Sequence, residues 1–214
     1  ASQFPAHPVT VEDLFIDRTE VTNDEYALFV TAKGVKSPES WTNGSPPAGS
    51  GNMPVTGVSY FDAQLFADWI SASAGTPCRL PTEIEWEYAA RSGASDLVFP
   101  WGNEWVPERT NFATDSARAV GSNKDVTVVG GVHDMMGNVL EWTNSPFTYY
   151  PGFPVEKKEP VANLFSVRGV SYTKQGQAQL RKTNLLLTLR QGVSPDKKFP
   201  FLGFRISCIA SMPN

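Results

Sequence analysis

Two cysteines, two histidines and a scatter of carboxylates and hydroxyls are the residues of this 214-residue sequence that could do chemistry. Cys78 and Cys208 are far apart in the chain, so no neighbouring thiol pair stands ready for redox exchange or for holding a soft metal. One bridge and two separate buried thiols both fit that count, which leaves the redox compartment open. His7 falls in an N-terminal tail and His133 in a loop, and both read as solvent-facing rather than as metal ligands. Ser59, Ser145 and Ser171 lack the glycine-flanked elbow that exposes a nucleophile, and no histidine lies near them in sequence. Glu85 and Glu87 are two apart, so they leave a helix on different faces and make no acid/base pair.

The elements that must position these groups are short. Leu14-Phe15-Ile16 reads as a strand that runs into a turn. Asn23 is a candidate N-cap for a first helix, with Asp24 and Glu25 suiting the dipole of its first turn. Tyr26, Phe29 and Val30 form the apolar face of that helix, and Gly34 stops it. Residues 35–55, rich in Pro and Gly, form a long surface loop. Ser59 caps a second helix, in which Phe61, Leu65, Phe66, Trp69 and Ile70 make an apolar stripe; it ends near Gly75. Thr82 and Glu85 have capping-box spacing and open a third helix that Gly93 closes. Beyond Asn103 the strand candidates are 126–131, 164–172, 185–190 and 203–208, each bounded by turn residues. Helices first and strands after predict an α+β fold rather than repeated βαβ units, and no linker divides residues 1–214, which read as a single domain.

The formal charge of −4 is spread along the chain with no Lys/Arg block. That argues against nucleic acid or an anionic membrane surface as partner. No segment reaches the ~18 consecutive apolar residues of a membrane span, so direct membrane insertion is not expected.

Several blocks, in order, resemble one family. They are Ile16-Asp-Arg-Thr-Glu-Val-Thr-Asn-Asp-Glu-Tyr26, Pro54-Val-Thr-Gly-Val-Ser-Tyr-Phe-Asp-Ala63, Arg79-Leu-Pro-Thr-Glu-Ile-Glu-Trp-Glu-Tyr-Ala-Ala-Arg91, Pro100-Trp-Gly-Asn103, Asp134-Met-Met-Gly-Asn-Val-Leu-Glu-Trp142, Val167-Arg-Gly-Val-Ser-Tyr172 and Gly203-Phe-Arg205. Together they are similar to the formylglycine-generating-enzyme, or sulfatase-modifying factor, domain. The resemblance implies a variant of the C-type lectin fold: helices packed on a small twisted sheet, with much irregular structure. Trp86, Trp101 and Trp142 then read as core and turn-packing residues.

The same resemblance carries expectations about chemistry. Oxidase members place a copper-binding cysteine pair between the blocks matching Val167–Tyr172 and Gly203–Arg205, where this sequence has none, so no copper site is recognised. The three-histidine iron site of the sulfoxide synthases finds no counterpart in His7 and His133. Cys78 and Cys208 fall closer to where some relatives place a structural disulfide. Asp134, the carbonyls of Gly137 and Val139, and Glu141 match a family calcium site, so structural Ca²⁺ is expected there. Two non-catalytic groups share the fold: sensor domains at the C-terminus of bacterial Ser/Thr kinases, and variable proteins of diversity-generating retroelements. The first would place the domain outside the cytoplasm on a membrane-anchored kinase, the second at the cell surface on a displayed binder, and outside both contexts it would be cytoplasmic. Both use the late surface, which offers Tyr172, Lys174, Gln177, Gln179, Arg181, Lys182 and Asn184 here, with Tyr149 and Tyr150 beside it. Adaptable hydrogen-bonders next to aromatic rings suit recognition of a protein or small-molecule ligand.

Overall fold

The computed structural model describes residues 7–94, 96–112, 114–123, 127, 130–154, 162–173 and 187–209. Three helices come first: α1 (Asn23–Lys33), α2 (Tyr60–Ala74) and α3 (Glu83–Ala90). Each opens on a complete capping box, Thr22/Glu25, Ser59/Asp62 and Thr82/Glu85, in which a side chain and a backbone N–H satisfy each other reciprocally. The first cap is Thr22 and not Asn23. Thr22 can receive Glu25 in return, while the Asn23 amide donates to the Ser50 carbonyl at 2.9 Å and pins the long loop. Gly34 and Gly75 end α1 and α2 in the left-handed conformation. Helix α3 stops earlier than its glycine, at Arg91.

Two small sheets complete the frame. β1 (Leu14–Ile16), β7 (Ser207–Ile209) and β2 (Cys78–Arg79) form one, antiparallel in the order β1-β7-β2. β5 (Arg190–Val193), β4 (Phe165–Arg168), β3 (Leu140–Pro146) and β6 (Leu202–Gly203) form the other, with β3 and β6 parallel. The 203–208 candidate thus proves to be two strands in different sheets. The chain crosses between them at Phe204-Arg205-Ile206, all buried, which carries Arg205 into the interior. Strand β3 had no forecast, because its sequence is a motif block and not an apolar run. Of the 185–190 candidate, residues 185 and 186 lie outside the described residues, 187–189 are not strand, and β5 starts at Arg190.

Aromatic packing sits between α1, α2 and the sheets. Tyr26, Phe29, Phe66 and Phe204 pack with centroid distances of 5.3 to 6.2 Å. The α2 stripe differs from expectation: Phe61 and Leu65 are each 52% exposed, and Tyr60, Ala63, Phe66 and Ala67 face inward. Small residues at 63 and 67 let the helix approach closely, which fixes the inward face better than bulk does. A second cluster around Trp86, Phe99, Met135, Met136 and Leu187 lies under α3. Cys78 and Cys208 are directly opposed across β2 and β7 and are bridged, with S–S at 2.04 Å.

Candidate functional site

Helix α3 presents Ile84, Glu87, Tyr88 and Arg91 at i, i+3, i+4 and i+7, which is one continuous stripe. That stripe walls a cleft of about 430 Å³, whose other side is Tyr150, Thr188 and the extended residues His7–Val9. Tyr88 is 51% exposed, and the His7 ring meets Tyr150 edge-on at 4.6 Å. Beneath lies a layer of ion pairs. Arg190 is forked onto Glu83 at 2.8 and 2.5 Å, and its guanidinium lies 4.2 Å from the Tyr150 ring and 4.6 Å from Phe147. Glu87 accepts from Arg91 at 2.9 Å and also from the fully buried Arg168. Arg168 rests over Trp86, and its Nε and Nη1 have no hydrogen-bond partner among the described residues. Burial raises the Tyr150 pKa, so its hydroxyl stays a neutral donor. Aromatic walls over a floor of three arginines and two glutamates can grip a ligand by stacking and by directed hydrogen bonds.

A separate buried network occupies the Asp134–Glu141 block. Both Glu141 oxygens accept from Arg205, Nε to Oε2 at 2.7 Å and Nη2 to Oε1 at 2.8 Å, and Oε2 also accepts from Trp86 Nε1 at 2.8 Å. Glu141 and Arg205 are completely buried. Both Asp134 oxygens are likewise taken, by the Gly121 N–H at 2.6 Å and the Asn123 amide at 2.7 Å. Burial works against the Arg205 charge, and Glu141 first, with Glu20 and Asp134 behind it, more than restores it, so the arginine pKa rises. The four positions Asp134, Gly137, Val139 and Glu141 therefore do not fit a calcium ion in this arrangement: every carboxylate oxygen already faces an N–H donor, and a guanidinium supplies the positive charge. Glu20 lies against the same network. Burial first, then Asp134 and Glu141, hold its carboxyl well above the usual range, and its Oε1 accepts from Asn138 at 3.0 Å.

Residues 1–209 match the sulfatase-modifying factor enzyme 1-like domain. The chain belongs to this family. The inactive C-alpha-formylglycine-generating enzyme 2 of Mus musculus is 32% identical, with 98% of this chain and 79% of that protein covered. The formylglycine-generating enzyme of Streptomyces coelicolor is 30% identical, with 94% and 80% covered. The serine/threonine-protein kinase Pkn1 of Chlamydia trachomatis is 29% identical over 81% of this chain, which spans only 29% of the kinase. Among solved structures, PvdO from Pseudomonas aeruginosa superimposes with a TM-score of 0.71 at 26% identity, covering 91% of this chain and 80% of that one. The α+β, C-type lectin-like fold expected from the sequence is the fold observed.

Within this sulfatase-modifying factor domain, the expected binding residues separate. Tyr150 lines the cleft. Tyr149 turns away and stacks on Phe153 at 4.5 Å. Tyr172 is tied by its backbone to Asn138 and Thr114 and does not line the cleft. Lys174, Gln177, Gln179, Arg181, Lys182 and Asn184 lie outside the described residues. Neither histidine is simply solvent-facing, as each is only partly exposed. His7 packs against Tyr150, and His133 has a buried Nδ1 and gives its carbonyl to Arg205 at 2.9 Å. Reasoning from motifs missed the α3 stripe, although Ile84/Tyr88 and Glu87/Arg91 at i, i+4 were a legible signal that this helix has a second patterned face.

Proposed function

We propose that this domain is a non-catalytic recognition module that takes a protein or small-molecule ligand in the cleft between α3, Tyr150 and His7–Val9. One observation carries the reading: the only two cysteines of the chain are joined in the β2–β7 bridge, so neither is a thiolate, and the cleft is lined instead by aromatic, apolar and ion-paired side chains. A soft-metal oxidase centre needs free thiolates. Support also comes from a relative named as inactive that covers nearly the whole chain. The kinase relative favours a sensor role within a larger protein.

The decisive experiment is aerobic incubation with copper and a cysteine-containing substrate peptide, followed by mass spectrometry. The peptide thiol is expected to survive. Conversion of that thiol to an aldehyde would sink the recognition reading in favour of an enzyme with a different site.

A further inference from the structure

A second cleft, of about 210 Å³, opens between α1, α2 and the β1/β7 edge. Its floor is Val21, Phe66 and Ile206, all buried, and its walls are Trp69 and Ile70 of α2. Leu28 forms a lip at 65% exposure. Trp69 belongs to an aromatic cluster with Phe66 and Phe29, each at 5.6 Å between centroids, so one rigid ring faces the space. Two carboxylates, Asp17 and Glu25, stand at the rim, and no lining residue is Lys, Arg or His.

The charges around Asp17 leave it short of a cation. Glu25 of α1 sets a second carboxylate near it. Arg205 lies near, but its guanidinium is fully buried and committed to Glu141. The Asp17 carboxyl accepts one backbone N–H, from Ile206 at 3.1 Å. An apolar slot with an aromatic wall and two carboxylates at its mouth that form no ion pair among the described residues, one Glu25 oxygen already accepting from Thr22, is complementary to a positive charge on an apolar body.

We propose that this cleft is a binding site for a small primary amine carried on an aromatic ring. The ring fills the slot against Trp69 and Phe66, and the ammonium donates to Asp17 and Glu25 at the rim. The volume suits one ring and a short chain and is below that of a drug-sized pocket. The site is independent of the α3 cleft and stands or falls by itself. Asp17 is solvent-exposed at the rim as a whole residue, yet desolvation of its carboxyl pushes its pKa up to about 6. The Ile206 N–H and Arg205 act against that rise, while Glu25 and Glu141 add to it. An ammonium binds the ionised carboxylate, so affinity rises as pH climbs through that value.

The test is a titration with 2-phenylethylamine, and with neutral 2-phenylethanol as the uncharged control, followed by NMR of the Trp69 indole N–H at pH 7.5 and pH 5. The amine is expected to saturate the signal and to bind about tenfold more tightly than the alcohol, the scale of a charge-assisted hydrogen bond. Asp17→Asn keeps an acceptor for Ile206. It should cost the amine about tenfold, leave the alcohol unchanged, and flatten the pH dependence. Trp69→Leu should weaken both probes. Equal affinity for amine and alcohol, absence of saturable binding, or full amine affinity in Asp17→Asn would each overturn the proposal.

Discussion

Replacing Arg205 with Met, a side chain of similar length without charge, isolates what holds the Asp134–Glu141 block together. The substitution strands Glu141, wholly buried, with only the Trp86 N–H for a partner. It also removes donors from the Asp17 carbonyl at 3.1 Å and the His133 carbonyl at 2.9 Å. A stranded carboxylate escapes by taking a proton, and for an ordinary glutamate that costs about 3.7 kcal/mol at pH 7 and about 1 kcal/mol at pH 5. Each lost hydrogen bond adds about 1 kcal/mol. The expected loss is therefore between about 5 and 6 kcal/mol at pH 7 and about 3 kcal/mol at pH 5, a large share of a typical domain's stability. The sign follows from linkage. A carboxyl whose pKa is raised in the folded variant stabilises it below the unfolded pKa, and that contribution drains away as pH rises. Urea unfolding followed by tryptophan fluorescence at the two pH values measures this. Adding Glu141→Gln should return about 3 kcal/mol at pH 7, and the double variant keeps the comparison measurable if the single one does not fold. The double variant has no charge left at position 141 to neutralise. A loss below about 2 kcal/mol at pH 7, or one that does not change with pH, would refute the assignment of Arg205 as the counter-ion. So would calcium-dependent stabilisation of the unmodified protein that Glu141→Gln abolishes, since that would place the cation on the same oxygens.

Two further outcomes follow from the frame. The Cys78–Cys208 bridge spans 130 residues of sequence, and closing a loop of that size is worth about 5 kcal/mol in chain entropy. Cys78→Ala with Cys208→Ala should lower the urea midpoint accordingly, and reductant should then have no effect on that variant; an unchanged midpoint would mean that β2 and β7 pair as firmly without the bridge. Gly137 sits at φ 124°, and a Cβ there would meet the Asn111 carbonyl oxygen at 2.8 Å and its nitrogen at 2.9 Å. Gly137→Ala should therefore destabilise by a few kcal/mol in the same assay, because backbone on both sides cannot yield.

The α3 cleft shows where legibility ended. Glu85 and Glu87 were visible as carboxylates on different faces of a helix, and they do separate: Glu85 turns to Arg79, and Glu87 turns to Arg91 and Arg168. What could not be read was the arrival of Arg168 and Arg190 beneath that helix from strands 81 and 107 residues away from their acidic partners. The Tyr149/Tyr150 pair shows the same limit at shorter range. Adjacent rings leave the chain in different directions, and only the packing of Phe153 against one and Arg190 against the other decides which lines the cleft.

By itself, the sequence determined what is local. The three capping boxes, the glycine ends of α1 and α2 and the family blocks each depend on residues a few positions apart, where backbone geometry is set by its own side chains. The count of two cysteines likewise limited the chemistry before any coordinates. Tertiary structure alone decided that those cysteines are bridged, since bridging depends on the register of β7 against β2. It also decided that Glu141 faces Arg205 and not an open ring of oxygens, because the crossing of residues 204–206 between two sheets carries a guanidinium inside. Where a buried charge finds its partner is set by how distant strands meet, and spacing along the chain does not encode it.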